Sequence, residues 1–96
     1  MAEWVFVDGE DRGEIVLYAL STCVHCRVTK ELLNELGVAY RYLFVDLLPE
    51  DELEKVYDEM KKYNPRGSFP TIVINDKTVI VGSRLDEIKE AVKGGE

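Results

Sequence analysis

The apolar positions of this chain fall into short unbroken runs and longer stripes of helical period. Trp4–Val7 is a short β-prone run, and Asp8-Gly9-Glu10-Asp11-Arg12-Gly13 after it reads as a loop. Glu14–Leu20 is apolar on both faces, the pattern of a strand buried on both sides of a parallel sheet. Ser21 and Thr22 are good helix caps. They predict a helix to about Leu36, with Val28, Leu32, Leu33 and Leu36 on one face and Gly37 as its stop. Tyr40–Val45 is the next strand. Pro49-Glu50-Asp51 opens a second helix, with Pro at the first helical position and acids facing the positive end of the dipole. Leu53, Val56, Tyr57 and Met60 keep the helical period to about Tyr63. Asp51–Lys55 and Asp58–Lys62 are favourable i,i+4 pairs on its outer face. Asn64-Pro65-Arg66-Gly67-Ser68 breaks the helix. Thr71–Ile74 and Thr78–Val81 are strands joined by a tight hairpin at Asn75-Asp76-Lys77. Arg84–Lys93 is the last helix, with Leu85, Ile88, Ala91 and Val92 inward, and Gly94-Gly95-Glu96 is expected to fray.

The order is therefore βαβα followed by ββα. Its first half implies a parallel βαβ unit with a right-handed crossover. Its second half adds an antiparallel pair and a helix. The class is α/β, with a mixed four-stranded sheet flanked by helices over residues 14–96. Residues 1–13 form an N-terminal extension that can add an edge strand. At 96 residues and 46% hydrophobic content the chain is one domain with a single modest core. No apolar stretch approaches the roughly 20 residues that span a bilayer. Met1-Ala2-Glu3-Trp4 lacks the basic and apolar regions of a signal peptide, so a cytoplasmic location is expected. The net charge of -7 argues against nucleic acid and against an anionic membrane surface as partners.

Cys23-Val24-His25-Cys26 stands where the first apolar strand meets the first helix, and it holds both cysteines of the chain. A spacing of three lets two sulfurs meet across one helical turn. Cys23 at the start of the helix meets free amides and the positive end of the dipole, which favour a thiolate, the attacking species. His25 and Arg27 add positive or polarisable character and are the candidates for tuning it. Cys26, one turn further in, is shielded. In this reading Cys23 attacks a substrate disulfide and Cys26 resolves the mixed disulfide.

Three other uses of the pair fit less well. A structural disulfide would close a loop of four residues, for about 2 kcal/mol, in a compartment that keeps thiols reduced. Zinc needs about four ligands, and one turn offers two Cys and His25. A zinc ion or iron–sulfur cluster shared by two chains through Cys23 is the rival from another class. Haem attachment needs His directly after the second Cys, where this chain has Arg27. Pro70 is the second informative residue. It opens a strand, where a missing backbone donor matters least. In this architecture that strand starts beside the cysteine turn, and a cis Phe69–Pro70 bond would present backbone to an extended substrate.

On these residues the chain resembles the glutaredoxin family of the thioredoxin superfamily, from Glu14 to Val92. The marks are Cys23-Val24-His25-Cys26, Phe69-Pro70-Thr71, and Val81-Gly82-Ser83-Arg84-Leu85-Asp86. The resemblance implies a thioredoxin-like fold and a redox-active Cys23–Cys26 disulfide with no bound cofactor. It also implies glutathione as a reductant, bound by Phe69, Pro70, Thr71, Gly82 and Ser83. The chain departs from the family at Leu20, where a Lys is usual, and at Leu85, where an Asp commonly holds the glutathione amine. Cys23-Val-His-Cys26-Arg-Val-Thr29-Lys30 with Gly82-Ser-Arg84-Leu-Asp86 is similar to NrdH-type redoxins. Those are reduced by a thioredoxin reductase and feed ribonucleotide reductase. Protein disulfides or glutathione-mixed disulfides are the implied substrates, a thioredoxin reductase or the glutathione system is the implied reductant, and a monomer is expected. A His between the cysteines is expected to move the pair toward the oxidising end of the range of about -270 to -200 mV.

Overall fold

The computed structural model describes residues 4–93. The expected fraying of Gly94-Gly95-Glu96 lies outside them, as do the first three residues of the N-terminal extension. The elements in order are β1 (Val5–Val7), β2 (Ile15–Ala19), α1 (Val24–Leu36), β3 (Tyr40–Phe44), α2 (Glu50–Tyr63), β4 (Thr71–Ile74), β5 (Thr78–Val81) and α3 (Leu85–Lys93). A single 3-10 turn, Val45–Leu47, follows β3.

The five strands form one mixed sheet in the order β1-β3-β2-β4-β5. β2 and β3 are parallel, with Leu17 opposite Tyr42. All other neighbours are antiparallel. The extension does supply an edge strand, β1, with Phe6 opposite Arg41 of β3. The loop after it is pinned by backbone bonds from Glu10 N to Gly37 O (2.8 Å) and from Ala39 N to Glu10 O (2.9 Å).

β2 is buried along its whole length because helices cover both faces of the sheet. Ile15, Leu17 and Ala19 pack with Leu32 and Leu33 of α1 and Ile88 and Val92 of α3. Val16 and Tyr18 point the other way, onto Val56 and Met60 of α2. This alternation is the two-residue period of a strand. Each fully buried aliphatic side chain here contributes about 2 kcal/mol.

Several local expectations shift in the folded chain. The cap of α1 is Cys23, with φ -93° and ψ 118°, and not Ser21 or Thr22. Cys23 N bonds Leu20 O at 3.3 Å, which closes a turn and delays the helix. α1 buries Cys26, Thr29, Leu32 and Leu33, while Val28 is half-buried and Leu36 is 37% exposed. Thr29 can enter the core because its hydroxyl donates to His25 O at 2.9 Å. Pro49 is the N-cap of α2 and not its first helical residue; Glu50, Asp51 and Glu52 fill the first turn. Neither Asp51–Lys55 nor Asp58–Lys62 closes to ion-pair distance. All four side chains are exposed, where such pairs contribute little. Among the described residues no helix is long and apolar enough to cross a membrane.

Gly37 ends α1 in the left-handed region, with φ 69° and ψ 24°, and its N–H bonds Asn34 O. A Cβ added there meets nothing within 4 Å. Gly37→Ala should therefore cost only backbone strain, about 1 kcal/mol. That lowers the melting temperature by roughly 4–8 °C in a domain of this size, and an unchanged thermal transition would count against the cap.

Candidate active site

Sheet topology brings four segments to one end of the molecule. β2 runs into Leu20-Ser21-Thr22 and then the cap of α1. β3 is parallel to β2, so its 3-10 turn leaves at the same end. β4 is antiparallel to β2 and pairs Thr71 with Tyr18, so Pro70 enters at that end. β5 returns to it, with Val81 opposite Thr71, and delivers Gly82 and Ser83.

Cys23 is half-buried, and its sulfur accepts the Cys26 N–H at 3.2 Å. The first helical bond, Arg27 N to Cys23 O at 3.1 Å, fixes the same residue from its carbonyl side. Cys26 is 1% exposed, and its sulfur accepts the Leu20 N–H at 3.5 Å. Burial pushes the Cys26 thiol well above its usual range, and a hydrogen bond with Cys23 adds to the shift. The donation from Leu20 N opposes it, and the charges of Cys23 and Asp46 reinforce it. The two thiols are thus unequal: one is accessible and capped by an amide, the other is dry and held neutral. At neutral pH an alkylating reagent should label Cys23 quickly and leave Cys26 unmodified until the chain unfolds. Peptide mapping after a short pulse checks this, and equal labelling of both would refute the asymmetry.

The asymmetry also orders two steps. Two influences that raise the Cys26 thiol, its hydrogen bond to Cys23 and the charge of Cys23, depend on a free Cys23 sulfur. A mixed disulfide at Cys23 would remove both, which would ease the loss of the Cys26 proton while the larger effect of burial persists.

The Phe69–Pro70 bond is cis. Phe69 is half-buried, and its ring stacks on Tyr57 with centroids 6.1 Å apart. Tyr57 OH donates to Gly67 O at 3.0 Å. Gly67 has φ +66°, and a Cβ there would collide with the Tyr57 hydroxyl, so only glycine fits. Asn64, 4% exposed, is the hub of this segment. Its Nδ2 donates to Ser68 O (3.1 Å), Ser68 Oγ (3.2 Å) and Thr71 Oγ1 (3.0 Å). Its Oδ1 accepts Arg66 N at 3.3 Å. Thr71 is fully buried, and its hydroxyl donates inward to Ser68 O at 2.8 Å, so this side chain braces the segment.

Gly82 N bonds Pro70 O at 2.9 Å, joining the late turn to the proline. His25 Nδ1 lies 3.0 Å from Ser83 Oγ, so the imidazole bridges the start of α1 to that turn. Leu85 is half-buried and packs on the core. Arg27 and Arg66 are exposed, Arg84 pairs with Glu87 at 3.1 Å, and Lys30 sits over the Tyr42 ring at 4.8 Å.

Asp46 belongs to this end of the molecule although no sequence pattern marks it. It lies in the 3-10 turn after β3 and accepts Ser21 N at 2.8 Å and Ser21 Oγ at 2.6 Å. Slight burial pushes its carboxyl up, but the two Ser21 bonds, together with a bond from its own backbone amide, outweigh that and hold it below the usual carboxylate range. Asn64 was equally silent, since Asn before Pro reads only as a helix breaker. Among the described residues no group of three or more His, Cys, Asp or Glu side chains is placed to hold a metal ion.

A mixed sheet of this order, with helices on both faces, a Cys-x-x-Cys at the first helix cap and a cis-proline entering β4 at the same end, defines a thioredoxin-like fold. The glutaredoxin family model matches residues 15–79. The chain belongs to the glutaredoxin family. It is 46% identical to the glutaredoxin of Methanosarcina mazei Go1, covering 93% of this chain and 86% of that one, with a TM-score of 0.86. Against the methanoredoxin of Methanosarcina acetivorans it is 50% identical over 88% of each chain, with a TM-score of 0.85. It is 34% identical to Glutaredoxin 1 of Rickettsia conorii over 65 residues, which are 68% of this chain and 61% of that protein.

Proposed function

We propose that the protein is a thiol–disulfide oxidoreductase that reduces disulfides in protein partners through Cys23 and Cys26. The observation that supports it best is the pairing of an accessible, amide-capped Cys23 with a buried, neutral Cys26 one helical turn away. Cys23 attacks a partner sulfur and releases the other as a thiolate. Cys26 then attacks Cys23, forming the intramolecular disulfide and freeing the partner's second thiol. Two electrons pass to the partner. Reduction of a disulfide-linked protein such as insulin, with a dithiol to recycle the pair, tests this. Precipitation of the freed insulin chain is expected only with both cysteines intact.

We infer the source of electrons from Gly82 and Ser83, which the resemblance assigned to glutathione, and from Leu85, which stands where an Asp commonly holds the glutathione amine. The Gly82 amide is bonded to Pro70 O, the Ser83 hydroxyl is bonded to His25, and Leu85 packs on the core. These contacts favour the NrdH-type reading, in which a thioredoxin reductase restores the dithiol in a reducing cytoplasm. Oxidised protein mixed with excess glutathione is then expected to stay oxidised, and to be reduced once a thioredoxin reductase is added. A glutathione adduct on Cys23 followed by full reduction would place Phe69, Gly82 and Ser83 in a tripeptide site instead.

A further inference from the structure

We propose that Asp46 is a positioning residue for the resolving thiol: its two hydrogen bonds to Ser21 hold the Leu20–Ser21 peptide so that the Leu20 amide donates to Cys26 Sγ. The inference rests on the dithiol reading above and assigns a role that neither cysteine can fill.

Cys26 must become a thiolate before it can attack, and it does so at 1% exposure, where water does not solvate the charge. The donor the structure offers that sulfur is the Leu20 N–H at 3.5 Å. Leu20 has just left β2 and is no longer held by the sheet ladder. What fixes it on the far side is the next peptide. The Ser21 N–H is bonded to Asp46 Oδ1 at 2.8 Å, and the Leu20 carbonyl accepts Cys23 N at 3.3 Å. The Ser21 hydroxyl adds the 2.6 Å bond to Asp46 Oδ2. A carboxylate 25 residues away along the chain thus holds the peptide that follows Leu20, and through it the residue whose amide faces the sulfur. The charge of Asp46 works against a thiolate at Cys26, so its geometry and its charge pull in opposite directions.

That opposition makes the idea testable by stopped flow with dithiodipyridine, an uncharged aromatic disulfide. In the first phase the Cys23 thiolate breaks the probe's S–S bond, forms Cys23–S–S–pyridine and releases one thiopyridone. In the second, the Cys26 thiolate, its proton given to the buffer, attacks Cys23 Sγ. The Cys23–Cys26 disulfide forms and the second thiopyridone leaves. Asp46→Ala should slow the second phase by about tenfold, the scale of one hydrogen bond to a charged group, and leave the first unchanged. Asp46→Asn keeps an oxygen for Ser21 N and an amide for Ser21 Oγ, and should resolve at least as fast as the parent. Ser21→Ala, which keeps only the backbone bond, should fall between the parent and Asp46→Ala. It carries the test if Asp46→Ala fails to fold.

A second phase unmoved in Asp46→Ala, or slowed equally in Asp46→Ala and Asp46→Asn, overturns the inference. So does an equal slowing of both phases, which marks a purely structural role. No first phase at all in the parent defeats the dithiol reading itself, a separate result.

Discussion

Cys23→Ser is expected to abolish disulfide reduction, with a loss on the order of 10³-fold or more, as for removal of an essential nucleophile. Cys26 cannot substitute. It is buried, and its thiol is held neutral by burial and by its neighbours. A serine hydroxyl does not ionise at neutral pH and is no substitute for a thiolate. The fold should not suffer. The Cys23 sulfur caps α1 by accepting Cys26 N, and serine is among the best residues at that position. The melting temperature is therefore expected to hold or rise while activity disappears. An insulin reduction assay beside a thermal melt separates the two effects. Activity within tenfold of the parent would remove Cys23 from the reaction.

Asn64→Ala should give the larger loss of stability, about 2 kcal/mol. It strips a buried network in which one side chain makes four hydrogen bonds. Thr71 Oγ1 and Ser68 O still bond each other, which limits the damage, but the Arg66 amide loses its partner. In a domain of this size that is a fall of roughly 10 °C in melting temperature. Function should suffer selectively. The network ends α2 and holds the segment that presents Phe69 and Pro70 to the cysteine end. KM for a protein disulfide is expected to rise, while the alkylation rate of Cys23 stays at the parent value. A melting temperature within about 2 °C of the parent would show that the network contributes less than its geometry implies.

What the sequence revealed was what is decided locally. The apolar run Ile15–Ala19 announced a strand covered on both faces, and Leu32, Leu33, Ile88 and Val92 announced helix faces. The Cys-x-x-Cys spacing announced its own chemistry, since it needs only one helical turn. Strand order then placed Pro70 and Gly82 beside it. The misread details all turn on contacts between distant residues. Ser21 looks like a helix cap by type, yet its hydroxyl goes to Asp46, and Cys23 takes the capping position. Thr29 looks polar and Leu36 apolar, but Thr29 satisfies its hydroxyl on His25 O and enters the core while Leu36 stays partly outside. Asn64 has no periodic neighbour that would mark it as a hub. The bond from the His25 ring to Ser83 is likewise a contact between distant residues that the sequence does not announce.

The division of labour between the two sulfurs is tested most directly by the intact mass of single-cysteine variants mixed with a small disulfide. Cys26→Ser should accumulate one stable mixed disulfide, mapped to Cys23. Cys23→Ser should gain no mass over the same interval. The parent should pass through the adduct to a species two hydrogen atoms lighter than the dithiol. Modification of Cys26 in the Cys23→Ser chain at a rate matching that of Cys23 would contradict the account, because a buried neutral thiol does not attack.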